Sequence, residues 1–355
     1  MNQFYAAFIP GLQSIAEKVL KERLSDVVIN KLLDGAVIFE TKTSYDKLNF
    51  FIFNNIFAVV SITERTHTGA QRHGERREEI IGEYIKKIVK DKTPCNSVVN
   101  LDTISNNSKS FKTFRIVVSN ENQPAAINEK LRKEAEQYIS NISGLKVDRS
   151  LPDTEFWFLQ RSENITVFMK RLTLRSSWDK TLHKGELPPP LAWTLCYLAD
   201  LKHSDTVLDP FCGYGSIPQA AIKHFHITNF LACDINSEAV LYTAGKFKNK
   251  CGFVLHKRDF SELALFAEEN SIDAIVTDPP WGQFDNIEIN GFYKKMFDVF
   301  YKLLKDNGRA VVLCANESSI INALPPSFEH KLSVSILLSG KKAVILIFNK
   351  KNRTC

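Results

Sequence analysis

A chain of 355 residues with 44% apolar side chains has enough material for two or three ordinary cores, which excludes a disordered chain. Its net charge of +6 and pI near 8.8 are mildly basic, a balance that permits a polyanionic partner without requiring one. The seven cysteines, at 95, 196, 212, 233, 251, 314 and 355, are odd in number and form no Cys-x-x-Cys pair, so neither a disulfide framework nor a zinc site is indicated, which fits a reducing cytoplasm. No apolar run reaches about 18 residues, and no basic segment leads into an apolar signal core, so a soluble protein without membrane spans is expected.

In chain order, Phe4–Ile9 is a short apolar segment closed by Pro10-Gly11. Leu12, Ile15, Ala16, Val19 and Leu20 then share one helical face. Strands are predicted at Gly35–Glu40 and Ala58–Ile62, with an apolar run from Leu48 to Asn54 between them. A charged segment, Glu64–Arg77, follows, and then an amphipathic helix. That helix turns Ile80, Ile81, Tyr84, Ile85, Ile88 and Val89 inward and Lys86, Lys87, Lys90 and Lys92 outward, and Pro94 ends it. Residues 102–110 are a polar loop. A strand at Phe111–Val118, a helix at Ile127–Ile142 and paired strands at Phe156–Leu159 and Ile165–Leu172 complete an α+β module.

Residues 173–186 are polar and aperiodic and read as a linker. Leu187-Pro-Pro-Pro190 opens a helix, since proline is tolerated in a first turn. From 206 onward, strands at Thr206–Asp209, Phe230–Ile235, Phe253–Asp259, Ala274–Asp278 and Arg309–Ala315 alternate with helices near 216–225, 237–248, 291–305 and 317–323. Lys331–Leu338 and Ala343–Asn349 close the chain around a turn at Gly340-Lys341. The pattern predicts an α/β domain, with a mostly parallel sheet and an antiparallel last strand.

Two turns in this half carry chemistry. In Asp209-Pro-Phe-Cys-Gly-Tyr-Gly215, the glycines at 213 and 215 allow a tight turn and close approach of backbone to a ligand. Asp234 closes the next strand, where a carboxylate can accept from ribose hydroxyls. Asp259 closes the third, where it can accept from an adenine amine while Phe260 packs on the ring. The plain alternative is that these acids cap the helices that follow. In Asp278-Pro-Pro-Trp281, the prolines hold the backbone extended and fix the direction of their carbonyls. Asp278 and a prolyl carbonyl can accept the two N–H groups of a base amine, while Trp281 stacks on the base.

Asp209–Ile217 and Asp278–Trp281 resemble the donor-binding and amine-binding motifs of Rossmann-fold amino-methyltransferases of the (Asp/Asn)-Pro-Pro-(Tyr/Phe/Trp) type. Lys184–Ala192 is similar to the preceding helix that helps to enclose the donor. Phe4–Ile15 and the arrangement of residues 1–172 resemble the ferredoxin-like unit and THUMP domain of RNA guanine-N2 methyltransferases. The resemblance implies a ferredoxin-like unit at 1–62, a THUMP-like RNA-binding domain at 63–172, a linker at 173–186 and a Rossmann-fold methyltransferase domain at 187–355. Family members more often carry Tyr or Phe where this chain has Trp281.

The resemblance implies S-adenosylmethionine as cofactor, held by Leu187, Pro189, Asp209, Phe211, Gly213, Gly215, Asp234, Asp259, Phe260 and Asp278. Asp278, Pro279, Pro280 and Trp281 are the implied catalytic set. The donor is itself a strong electrophile, so no metal is called for. The implied reaction is methylation of guanosine N2 in structured RNA, most of all tRNA. Arg72, Arg76, Arg77, Lys86, Lys87 and Lys90 are candidate phosphate contacts, although Glu75, Glu78 and Glu79 make a solvated charged face an equal alternative. Adenine-N6 methylation of RNA or DNA and a non-catalytic RNA-binding protein with a retained fold stay open.

Overall fold

The computed structural model describes residues 1–44, 47–48, 50–64, 77–91, 111–121, 123–173, 182–282 and 289–352. Arg72, Arg76, the polar loop at 102–110 and much of the expected linker lie outside the described residues, as does the side chain of Arg77. The chain divides into two compact units. One comprises Met1–Ala7 with Gln13–Ser176, the other Phe8–Leu12 with Ser177–Cys355.

The first unit is built on one sheet. Its elements are β1 (Asn2–Ala7), α1 (Gln13–Arg23), β2 (Val28–Leu33), β3 (Ala36–Thr41), β4 (Asn55–Glu64), α2 (Arg77–Lys90), β5 (Thr113–Asn120), β6 (Gln123–Pro124), α3 (Glu129–Ser143), β7 (Lys146–Val147), β8 (Thr154–Gln160) and β9 (Ile165–Arg171). The order across the sheet is β2-β3-β1-β4-β9-β8-β5-β6, with β7 on β5. The strands expected on either side of residue 62 therefore share one ladder: β4 lies between β1 and β9, with Phe57 opposite Arg171 and Glu64 opposite Ile165. Ile81, Tyr84, Ile85 and Ile88 of α2 and Leu131, Ala135, Tyr138 and Ile139 of α3 cover Phe114, Phe156, Phe158 and Phe168 of the sheet. Lys86, Lys87 and Lys90 stay exposed on the outer side of α2, as the helical period requires.

The second unit contains α4 (Pro189–Leu198), β10 (Thr206–Asp209), α5 (Ser216–His224), β11 (Asn229–Asp234), α6 (Ser237–Lys246), β12 (Phe253–Lys257), β13 (Ile272–Thr277), α7 (Ile289–Leu303), β14 (Leu304–Cys314), α8 (Glu317–Ala323), β15 (Phe328–Leu338) and β16 (Lys341–Lys350). Its sheet order is β12-β11-β10-β13-β14-β16-β15. The ladders from β12 through β14 are parallel, and β16 runs antiparallel to β14 and β15. The central strands are mostly buried and read as apolar runs, as expected for parallel strands covered by helical crossovers. Strand order reverses beside β10, where open α/β sheets bind ligands at the carboxyl ends of their strands.

Local differences from the sequence reading have physical causes. The closing hairpin turns at Ser339-Gly340 instead of Gly340-Lys341. Both turn residues have positive φ, 48° and 79°, and Leu338 pairs with Lys341. β12 stops at Lys257, two residues before Asp259, because Asp259 Oδ1 accepts the Ser261 amide and starts a short 3₁₀ turn, Phe260–Leu265. Lys350 is taken into the core: its ammonium donates to the Tyr301 and Leu304 carbonyls and to Asn270 Oδ1.

Candidate active site

The glycine loop and the proline turn end neighbouring strands. β10 and β13 are parallel partners, with Val207 opposite Ala274 and Leu208 opposite Ile275. Adjacent strands lie about 4.8 Å apart, so the two turns open side by side. A buried hydrogen bond joins them: Thr277 Oγ1 donates to Asp209 Oδ1 at 2.8 Å, and the Phe211 amide donates to the same oxygen at 3.2 Å.

The loop between β10 and α5 is built for close approach. Gly213 has φ 48°, and a Cβ added there would meet nothing within 4 Å, so this face of the loop looks onto open space. Gly215 has φ 79°, and a Cβ there would press on Thr243 and Phe247 at 3.0–3.2 Å. One glycine is thus required by packing and the other faces the space a ligand would take. Thr243 Oγ1 donates to the Gly213 carbonyl and Lys246 Nζ to the Tyr214 carbonyl, which ties α6 to the loop.

Asp234, at the end of β11, accepts the Gly213 amide on Oδ2 at 2.7 Å and the Asn236 amide on Oδ1 at 2.8 Å. Capping of α6 falls to Asn236, whose side chain accepts the Glu238 and Ala239 amides. A carboxylate has about four lone-pair sites, so one bond on each oxygen leaves room for a diol. Asp259 does cap the turn that follows it, and its residue remains partly exposed. Phe260 is buried against Phe211 and Phe292, with centroids 5.0 and 5.1 Å away, while Phe211 keeps some surface. Leu187 is buried, and Pro189 is exposed in the first turn of α4. With open space over Gly213, Asp234 at the end of β11 and Asp259 in the turn after β12, this donor set fits an adenosine-bearing ligand.

Burial pushes Asp209 up to about 8, and the Asp234 and Asp278 charges add to the rise, while the bonds from Thr277 and Phe211 oppose it. An acid raised in the folded state binds more protons folded than unfolded. Its stabilising contribution is fully present below its unfolded value of 3.8 and is lost as pH rises to about 8. Asp209→Asn should therefore raise the melting temperature of the ligand-free protein more at pH 8 than at pH 5. Thermal melts at the two values check this, and equal shifts would refute the sign.

In the second turn, Trp281 Nε1–H donates to Asp278 Oδ1 at 2.8 Å, and the Tyr293 hydroxyl of α7 donates to the Pro280 carbonyl at 3.1 Å. Among the described residues, Asp278 Oδ2 and the Pro279 carbonyl accept no hydrogen bond. These are the two acceptors a base amine needs. Burial pushes Asp278 up to about 7, and the Trp281 bond pulls against it.

Sequence reasoning missed three contributors. Glu186, at the end of the expected linker, is almost fully buried. Its Oε2 accepts the His183 amide at 3.1 Å, and its Oε1 lies 3.4 Å from Ser216 Oγ and 3.7 Å from Lys246 Nζ. The His183 ring stacks on Tyr214 at 4.0 Å and meets Tyr242 edge-on. Thr277 and Tyr293 were hidden inside an apolar strand and an amphipathic helix. An acid directly before Leu-Pro-Pro-Pro was the available signal for Glu186.

A doubly wound sheet with a glycine loop after its first strand, acids at the next two strand ends and Asp-Pro-Pro-Trp at the fourth defines a methyltransferase-type Rossmann domain. Residues 177–331 match the model described as the RMKL-like methyltransferase domain, UPF0020. The chain is 31% identical over 137 residues to a tRNA (guanine(10)-N2)-dimethyltransferase of Methanocaldococcus jannaschii, covering 36% of this chain and 38% of the relative. It is 26% identical over 183 residues to the U6 snRNA (guanine-N(2))-methyltransferase THUMPD2 of Bos taurus, covering 49% of this chain and 34% of the relative. The chain thus spans little more than a third of the length of either. Its fold matches the crystal structure of TrmN from Thermus thermophilus with a TM-score of 0.74 at 18% identity, over 99% of this chain and 100% of that one. These findings agree with the resemblance to THUMP-containing guanine-N2 methyltransferases.

Proposed function

We propose that the protein transfers a methyl group from S-adenosylmethionine to the exocyclic N2 amine of a guanosine in structured RNA, most of all tRNA. The observation that carries this reading is the Asp278 Oδ2 and Pro279 carbonyl pair, unpartnered among the described residues, on the strand next to the glycine loop. The guanine-N2 activity named for two relatives supports the choice of base, and the RNAs in their names support the choice of polymer.

S-adenosylmethionine, when bound, supplies a methyl group on a positively charged sulfur. Asp234 and Asp259 would hold its ribose and adenine, with Phe211, Phe260, Leu187 and Pro189 as apolar walls. The open face of Gly213 leaves room for its chain, and Asp209 fixes the loop through Phe211. A base amine is nearly planar and a poor nucleophile, because its lone pair is delocalised into the ring. Asp278 Oδ2 and the Pro279 carbonyl each accept one N–H and turn the lone pair toward the methyl carbon. Trp281 offers a partly exposed ring face for the base. Alignment of the two reactants supplies much of the acceleration. Nitrogen–carbon bond formation accompanies sulfur–carbon cleavage, and the surplus amine proton then leaves to solvent.

The exposed Lys86, Lys87 and Lys90 of α2, with Arg72, Arg76 and Arg77 ahead of it, are proposed phosphate contacts of the first unit. The test is a mass comparison of nucleosides from purified tRNA and rRNA of a strain with and without the gene. Loss of N2-methylguanosine is expected in the tRNA fraction. Unchanged N2-methylguanosine with loss of N6-methyladenosine would replace guanine by adenine as the target.

A further inference from the structure

Trp281 and Asp278 hold each other across the two prolines. The indole N–H donates to Asp278 Oδ1 at 2.8 Å, which leaves Oδ2 for the acceptor amine. Phenylalanine has no ring donor, and the hydroxyl of a tyrosine sits at the far end of its ring. The indole therefore brings something to position 281 that the aromatic residues more usual in this motif do not.

We propose that Trp281 is a positioning residue for Asp278: its N–H fixes the carboxyl rotamer and favours the anionic form that offers Oδ2 to the amine. The inference rests on the functional reading above. The other groups that face this carboxyl from the described elements do not stabilise its charge. Asp209, at the end of β10, is itself an acid. Tyr293 of α7 spends its hydroxyl on the Pro280 carbonyl. Cys314, at the end of β14, is a buried thiol whose ionised form would repel an anion. Among the described residues, the Trp281 N–H is the donor that this carboxylate has. A hydrogen bond to an ionised acceptor is shorter and about twice as strong as a neutral one, and more so where water is excluded.

The experiment replaces the donor and keeps a ring. In Trp281→Phe, the Asp278 carboxyl carbon, followed by NMR titration of the resting protein, should change at a pH higher by about one unit or more than in the wild type. The acid limb of kcat/KM should move the same way, since activity needs the anion and rises with pH through this group. Asp278→Asn, which cannot titrate, should lose that limb, and adding Trp281→Phe to it should shift nothing further. If Trp281→Phe does not fold, benzothienylalanine at position 281 takes its place, with sulfur where the N–H was. An unmoved carboxyl titration in either folded variant overturns the proposal. The titration needs no turnover, so it decides the role of Trp281 even if the wild type methylates no RNA. That second result would instead remove the functional reading.

Discussion

Asp278→Ala folds, binds S-adenosylmethionine as the wild type does and loses methyl transfer by about 10²–10³-fold or more. The size follows from what the alanine removes. Asp278 Oδ2 is a charged acceptor aimed at the amine, and the Pro279 carbonyl alone cannot orient both N–H groups. Folding should survive, because the lost partner is a single indole N–H on a partly exposed turn. Donor binding should survive because, Asp278 apart, the proposed donor residues stand at the start of α4, at and after the end of β10, at the end of β11 and in the turn after β12. Calorimetry with S-adenosylmethionine and single-turnover methylation of tRNA separate the two effects. Wild-type transfer rates in this variant would exclude the assigned chemistry.

Lys350→Met should destabilise the second unit by about 1–3 kcal/mol, the cost of taking a charged donor away from buried acceptors. The Lys350 side chain is fully buried at the end of β16. Its ammonium donates to the Tyr301 carbonyl at 2.8 Å, to the Leu304 carbonyl at 2.6 Å and to Asn270 Oδ1 at 2.8 Å, with Asp306 3.7 Å away. The two carbonyls lie at and just past the end of α7, where backbone oxygens lack intrahelical donors and the helix dipole is negative. The Tyr301 ring lies 4.5 Å below the same nitrogen. Methionine keeps the apolar stem and removes the ammonium's bonds to all three acceptors. Urea unfolding should show a lower midpoint with an unchanged slope. A loss under about 1 kcal/mol would mean that the stem, and not the ammonium, does the holding.

The parallel strands of the second unit were legible because buried β-branched runs end in abrupt turns, as at Asp209 and Thr277. α8 was legible over its full span, Glu317–Ala323, with Asn316 as its cap. β2 was missed because its residues alternate between exposed and half-buried along a sheet edge, and Asn30-Lys31 breaks the apolar pattern. Lys350 was unreadable for a related reason. A lysine at a strand end reads as surface, and only tertiary packing brings a helix terminus to it.

The site divides in the same way. Residues whose place follows from backbone position could be read from spacing: Gly213 and Gly215 in the loop, and Asp234 and Asp278 at or beside strand ends. Residues that act through a side-chain rotamer or a contact distant in sequence could not. Thr277 meets Asp209 across 68 positions, and the Trp281–Asp278 bond depends on how the indole turns back over the prolines. Arg72 and Arg76 lie outside the described residues, so their proposed contacts stay with the sequence.

The pairing of β4 with β9 has a consequence for how the chain is made. β4 leaves the ribosome with β1 already available on one side, but its other neighbour is encoded roughly a hundred residues later. At about 5–20 residues per second, that edge waits for about 5–20 s with its amides and carbonyls open to any other extended chain. Truncation after residue 62 makes the wait permanent, since β9 is never made, and it also removes the last two residues of β4. The truncated chain should self-associate, whereas one ending after β9 should stay monomeric and folded in light scattering and circular dichroism.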